Sequence, residues 1–317
     1  MRAVVLEKSG LVFRTDYPEP TLCEGEVLVR VLRAGICETD LQLIRGYLGF
    51  RGVLGHEFVG VAETGRWKGR RVVCEINCSC HRCSTCQSGL PNHCPNRTVL
   101  GIVNRDGCFA DLVAVPERNL HAVPEEVSTD EAVFAEPLAA AFEILAQVSF
   151  HPKDRVVVLG DGRLGHLCAQ VLKQTGADVL VVGKHAEKLK LLEQEAIATG
   201  LADQLSPSRV ADLVVDCTGS PSGLEQGLKW LKPRGTLVLK TTLAASHTLS
   251  LAPVVIDEIT IVGSRCGPFR PALDALAEKR VNVRPLISAV LPLEQALEAF
   301  QHAQSSTALK VLLAVDE

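Results

Sequence analysis

The sequence predicts an α/β protein in two parts: a β-rich part around a cysteine-rich loop, and a doubly wound parallel sheet flanked by helices. Three observations carry this reading. Residues 155–264 alternate short apolar runs with helical stretches, the texture of parallel strands joined by crossover helices. Six of the twelve cysteines fall between Cys74 and Cys94. The 317 residues also exceed the roughly 250–300 that one hydrophobic core usually serves.

In chain order, residues 3–6 (AVVL), 26–36 (EVLVRVLRAGI) and 58–64 (FVGVAET) read as short strands bounded by Gly, Pro and Asp. The cysteine-rich loop covers 78–94, and another strand-like piece lies at 109–115. Residues 130–148, rich in Ala, Leu and Glu, have helical period. RVVVLG (155–160) is a continuous apolar run closing on glycine, as a buried parallel strand should be. A helix over 164–176, a strand over 177–183 and a helix over 186–196 follow. Strand runs at 211–219, 235–242 and 258–264 complete the series. From about Gly267 the chain adds a helix (271–279), a β piece, a helix (292–303) and the terminal strand ALKVLLAV. No repeats interrupt this order.

Composition narrows the class of protein. Hydrophobic residues make up 47 %, charged residues 22 % and aromatic residues 4 %, so the cores rest on Val, Leu and Ala. The net charge of −4, without a basic stripe, speaks against nucleic acid as a partner. Glu7 and Lys8 break the opening apolar run, which is too short for a signal peptide. No window holds the roughly 18 apolar residues of a membrane span. These features predict a cytoplasmic, soluble protein, in which clustered thiols read as metal ligands rather than disulfides.

Gly160-Asp161-Gly162-Arg163-Leu164-Gly165 fits G-x-G-x-x-G between a strand and a helix, the context a dinucleotide pyrophosphate requires. The first glycine permits the turn, the second lets backbone N–H groups approach the phosphates, and the third lets helix pack on strand. Gly160, Gly162, Arg163, Leu164 and Gly165 are therefore candidate coenzyme contacts. The second strand closes on Gly183-Lys184-His185. A carboxylate there would hold the adenosine ribose 2′-hydroxyl of NAD. None stands in that stretch and a cation follows, which favours NADP over NAD, with Lys184 and His185 near the 2′-phosphate.

Two groups of residues have the chemistry of zinc ligands. Cys80, Cys83, Cys86 and Cys94 lie within fifteen residues, and four thiolates make a closed, structural site. Cys78 is either a spare thiol or a register alternative. Cys37, Gly55-His56-Glu57 and Glu136-Pro137 are dispersed, and their mixed thiolate, imidazole and carboxylate character suits an open, catalytic zinc.

With these motifs in place, the chain resembles the zinc-containing medium-chain alcohol and polyol dehydrogenases. The resemblance rests on Cys37 in AGICETD, the GHE motif, the four-Cys loop, Glu136-Pro137-Leu138-Ala139, the glycine loop, Asp216-Cys217-Thr218-Gly219, Gly263-Ser264 and the terminal KVLL. It implies a GroES-like catalytic domain (1–137 and 267–317) split around a Rossmann domain (138–266). It implies Cys37 and His56 as ligands of the catalytic zinc, completed by Glu57, Glu136 or both. Asp40 would orient His56, and Thr39 would take the substrate proton while hydride passes between the substrate and nicotinamide C4. Two zinc ions per chain, a small alcohol or carbonyl substrate, and a homodimer or homotetramer joined near residues 250–264 follow from the same likeness.

Three departures qualify it. Gln42 stands where many members carry a relay histidine, and it cannot titrate near neutral pH. Glu38 replaces a residue that in some members meets the pyrophosphate, which leaves the glycine loop and Lys310 for that task. The chain is also shorter than most members. Two other readings stay open on sequence alone: a zinc-free NADPH enone or quinone reductase, and a catalytically silent zinc- and dinucleotide-binding redox sensor.

Overall fold

A computed structural model describes residues 1–242, 248 and 250–316. The chain forms two compact units. Met1–Glu136, Ala272–Glu278 and Val283–Glu317 make the first, and Pro137–Pro271 with Lys279–Asn282 the second.

The first unit is organised on the strand Glu26–Gly35, which pairs antiparallel with Phe58–Ala62, Leu112–Pro116 and Lys310–Ala314. Val27, Val29 and Val31 alternate inward along it, the period-2 pattern of a sheet with one face on a core. Its register against Phe58–Ala62 shifts between Val31 and Arg33, and along its other edge the partner changes from Leu112–Pro116 to Lys310–Ala314. Residues near the C-terminus thus complete a sheet begun near the N-terminus, with Leu312 opposite Gly35 and all five residues of Lys310–Ala314 buried.

The sequence pattern runs on as strand through Ile36, but the backbone changes course. Cys37 is extended and caps the helix Glu38–Ile44, and the N–H of Cys37 donates to Asp40 Oδ2 at 2.8 Å. A short capping carboxylate three residues into the turn is enough to start a helix there. Strands Gly10–Arg14, Arg71–Cys74 and Ala198–Leu201 and the helix Gly223–Trp230 also fall outside the pattern reading. The segment Ala198–Leu201 (ATGL) lies at a sheet edge and needs only one neighbour, so it carries no apolar run.

Among the described residues the second unit has a sheet of six strands, all parallel, in the order Ala198–Leu201, Asp178–Gly183, Arg155–Leu159, Ala211–Asp216, Leu231–Leu239, Thr260–Gly263. Numbered along the chain this is 3-2-1-4-5-6, the doubly wound order whose crevice lies at the carboxyl end of the first strand. Val157, Leu159, Val182, Val214 and Leu237 pack with Trp230 into one cluster. Buried strands of this kind are apolar throughout, which is why these runs read so clearly in the sequence.

The helix Arg163–Lys173, which follows the first strand of this sheet, buries His166 to 1 % exposure. Burial lowers its pKa to about 4, against the opposing pull of Asp161. An unfolded histidine titrates near 6.5, so between that pH and about 4 the unfolded chain binds a proton that the folded chain refuses. The second unit should therefore lose stability as pH falls through that window, by on the order of 3 kcal/mol in full. The measurement is the urea midpoint of wild type and His166→Leu at pH 7 and pH 5: the gap between the two pH values should narrow in the variant.

Candidate active site

The helix that Cys37 caps brings three polar side chains together. Cys37 Sγ stands 3.8 Å from Thr39 Oγ1, and Asp40, fully buried, reaches back beneath the loop that carries His56. Asp40 Oδ1 lies 3.3 Å from His56 Nδ1. That contact leaves the other ring nitrogen for a metal, the support a metal-bound histidine usually has. Gly55 sets the entry to this loop: its φ is +97°, and a Cβ there would run into the Phe109 ring.

Donor atoms of Cys37, His56 and Glu57 all lie within 4.8 Å of one another. Glu136, in the first turn of the helix Ala135–Gln147, is not part of this cluster. The structure thus brings together one of the two carboxylates that the sequence left open. Burial opposes a charge on His56, but Asp40 and Cys37 outweigh it and hold the imidazole pKa well above its ordinary value. A set of side chains that draws a proton onto a buried ring is suited to surround a positive ion, and thiolate, imidazole and carboxylate are ligands zinc accepts.

Lys310 departs from expectation. As a candidate phosphate partner it should present its ammonium to solvent or ligand, yet it is fully buried in the first unit and ion-paired with Glu57. Gly35 makes this possible, because a Cβ at that position would fall 2.5 Å from Lys310 Cε. Burial lowers the Lys310 pKa to about 8, while Cys37 and Asp40 pull it up. With no exposed atom to offer a phosphate, Lys310 belongs to the Cys37–His56–Glu57 cluster, where it balances the excess of acidic groups. Gln42 donates to Glu38 Oε1 at 2.8 Å, so these two departures in the sequence engage each other.

The four-Cys loop closes on itself. Sγ atoms of Cys83 and Cys86 are 3.5 Å apart, those of Cys80 and Cys94 3.5 Å, and those of Cys83 and Cys94 3.8 Å. Backbone N–H groups of Arg82 and Cys83 stabilise the Cys80 thiolate and lower its pKa to about 6. Four convergent thiols, one already inclined to ionise, fit a closed tetrahedral zinc. Cys78 is buried in the short strand Asn77–Cys78 and stands outside the four-thiol group.

In the second unit the glycine loop follows the first strand as expected. Gly160 has φ +111° and lies 2.6 Å, at its would-be Cβ, from the Cys217 carbonyl. Gly165 sits beneath the Gly160 carbonyl, while Gly162 faces open space at the start of the helix Arg163–Lys173. Arg163 and Leu164 form the first turn of that helix, whose N–H groups and dipole favour an anion. What sequence reasoning missed is Asp161. Its Oδ2 accepts from the N–H groups of Lys184 and His185, each at 2.6 Å, and its carboxylate lies 3.1 Å from His185 Nδ1. A carboxylate therefore does stand at the end of the second strand, delivered from the loop rather than from the strand. The only signal in the sequence was an acidic residue between the first two glycines.

A site for a mixed-ligand metal, a closed thiolate site and a pyrophosphate loop in one chain define a zinc- and dinucleotide-binding oxidoreductase. The family model for the alcohol dehydrogenase GroES-like domain matches residues 23–125, and that for zinc-binding dehydrogenases matches residues 164–278. A sorbitol dehydrogenase of Halalkalibacterium halodurans is 32 % identical over 94 % of this chain and 94 % of its own length. A solved structure from Sinorhizobium meliloti 1021, described as a zinc-binding dehydrogenase bound to NADP, superposes with TM-score 0.89 at 28 % identity, covering 99 % of both chains. Another from Escherichia coli CFT073, described as an alcohol dehydrogenase complexed with NADH, gives TM-score 0.89 at 27 % identity over 99 % of both chains.

The chain belongs to the zinc-dependent medium-chain alcohol and polyol dehydrogenases. It is a zinc-dependent oxidoreductase that transfers hydride between NAD(P) and a CH–OH or carbonyl substrate. Its fold is that family's GroES-like domain joined to a Rossmann sheet. Among the described residues no helix is long and apolar enough to cross a membrane.

Because the four-Cys loop has little apolar support of its own, its metal should carry its stability. Cys94→Ser should release one zinc per chain and lower the melting temperature by about 5–10 °C. Zinc analysis and a thermal melt on the same preparation check both parts.

Proposed function

We propose that this chain is a polyol or secondary-alcohol dehydrogenase whose catalytic zinc is held by Cys37, His56 and Glu57. The convergence of those three donors over the buried Asp40 carries the reading. The relative named as a sorbitol dehydrogenase supports a polyol substrate. A zinc ion in such a site supplies Lewis acidity toward a substrate oxygen. Asp40 fixes the ring of His56, and Lys310 offsets the charge of Glu57. Thr39 Oγ1, on the same turn as Cys37, accepts the hydrogen bond of the substrate hydroxyl and passes its proton outward. Gln42 is tied to Glu38 and titrates nowhere near neutral pH, so onward release of the proton falls to Thr39 with solvent, or to a carboxylate such as Glu57.

For the coenzyme, Gly160, Gly162, Arg163, Leu164 and Gly165 would receive the pyrophosphate at the start of the helix Arg163–Lys173. Lys184 and His185 support NADP over NAD, since two basic side chains follow Gly183 directly. For assembly, Thr260–Gly263 is an edge strand with a single neighbour among the described residues. Beside it in sequence Leu251, Val255 and Ile256 are 59 %, 76 % and 78 % exposed. An open edge and apolar side chains of this kind support a two-fold strand-to-strand interface in a homodimer or homotetramer. The convergence of Cys80, Cys83, Cys86 and Cys94 as metal ligands supports a reducing, cytoplasmic setting.

Two outcomes check this reading. Cys37→Ser should lower kcat/KM for sorbitol and related polyols at least about a hundredfold and reduce bound zinc from two ions per chain to one, with the thermal melt of the four-Cys loop retained. Ile256→Asp should shift the mass measured by light scattering toward the monomer, whereas an unchanged oligomer places the interface elsewhere.

A further inference from the structure

We propose that Asp161 is a specificity-determining residue for the coenzyme, a carboxylate moved from the strand end to the glycine loop that disfavours a 2′-phosphate. The inference rests on the dinucleotide-binding role of the second unit and goes beyond the preference ascribed to Lys184 and His185.

In a doubly wound sheet the adenosine ribose lies beyond the carboxyl end of the second strand, and a carboxylate there selects a free 2′-hydroxyl. Here that strand ends at Gly183. A Cβ on Gly183 would fall 2.5 Å from both Cβ and Oδ2 of Asp161. The loop carboxylate therefore occupies the volume into which a strand-end side chain would project, and the two positions cannot both carry one. The side chain of Asp161 is only 9 % exposed, yet it is fully engaged. Two N–H groups of the turn, those of Lys184 and His185, already donate to Oδ2.

Those same N–H groups point from a strand end toward an anion, the kind of backbone concavity that would otherwise receive a phosphate. Asp161 fills it from within. Burial pushes the carboxyl pKa up, but the N–H groups and the side chain of His185 outweigh it and hold the pKa below the ordinary value, so the group stays ionised at neutral pH. Lys188 is buried nearby, and burial lowers its pKa against the opposing pull of Asp161. A 2′-phosphate would thus meet Lys184 and His185 together with a fixed negative charge and an anion seat already taken. Asp161 opposes the two basic side chains, and coenzyme choice is the balance between them.

Removing the charge while keeping the shape isolates its part. Dissociation constants of NADH and NADPH are measured by fluorescence titration of the full chain, for wild type, Asp161→Asn, Asp161→Gly, and the paired Asp161→Gly/Gly183→Asp. Expected is a rise of about tenfold in NADPH affinity relative to NADH in Asp161→Asn, and a return toward the wild-type ratio when the carboxylate is put back at position 183. A ratio that stays unchanged overturns the proposal, as does an equal weakening of both coenzymes, which would make Asp161 a turn clamp only. If Asp161→Asn loses the fold by circular dichroism, the Asp161→Gly variant and its paired partner decide the question by the same ratio. The wild-type ratio tests the NADP preference separately, because the proposal concerns only how that ratio moves.

Discussion

Cys37, Asp40, His56, Glu57 and Lys310 are ionisable groups crowded into one poorly solvated region, and a charge taken out of water is tolerable only beside a partner. Each of these groups has one. Asp40 serves the His56 ring, the Cys37 thiol stands beside His56 and Lys310, and Lys310 serves Glu57. Much of the first unit can be understood as what is needed to hold this group in register. The strand Glu26–Gly35 delivers Cys37 at its end, the loop at Gly55 delivers His56 and Glu57, and Lys310–Ala314 returns to supply the cation. Glycine at position 35 is part of the same device, since a larger residue would stand where the lysine stem runs.

The second unit solves a different problem. Its parallel strands need no polar residues, and its chemistry is confined to the loops at their carboxyl ends, where backbone N–H groups are free to face a ligand. The glycine loop and the turn at Gly183–His185 are separate in sequence but share one carboxylate, that of Asp161. Rigid strands set the distance between those loops, and the side chain that links them then governs what the turn can accept.

The legible and the illegible parts of this molecule divide along physical lines. The parallel strands were readable because burial on both faces leaves an unbroken apolar run, as in RVVVLG. The four-Cys loop was readable because tight turns must place its thiols a few residues apart. Ala198–Leu201 and Gly10–Arg14 were not, since neither packs an apolar face deeply enough to mark the sequence. Within the site, Cys37, His56 and Glu57 stood out by residue type and motif, but nothing local separated Glu57 from Glu136. That distinction depends on which loop folds over Asp40. The surroundings of Lys310 and Asp161 were illegible for one reason: their partners, Glu57 and the Lys184–His185 turn, lie far away along the chain.

The return of Lys310–Ala314 to the strand Glu26–Gly35 also orders events during synthesis. A ribosome releases residues 137–271 while the first sheet still lacks this strand, so the Rossmann unit can close before its neighbour does. Until that strand arrives, Cys37, His56 and Glu57 have no buried ammonium beside them and the edge at Gly35 is open. The nascent chain thus passes through a stage in which the ligand trio is accessible and its charge unbalanced.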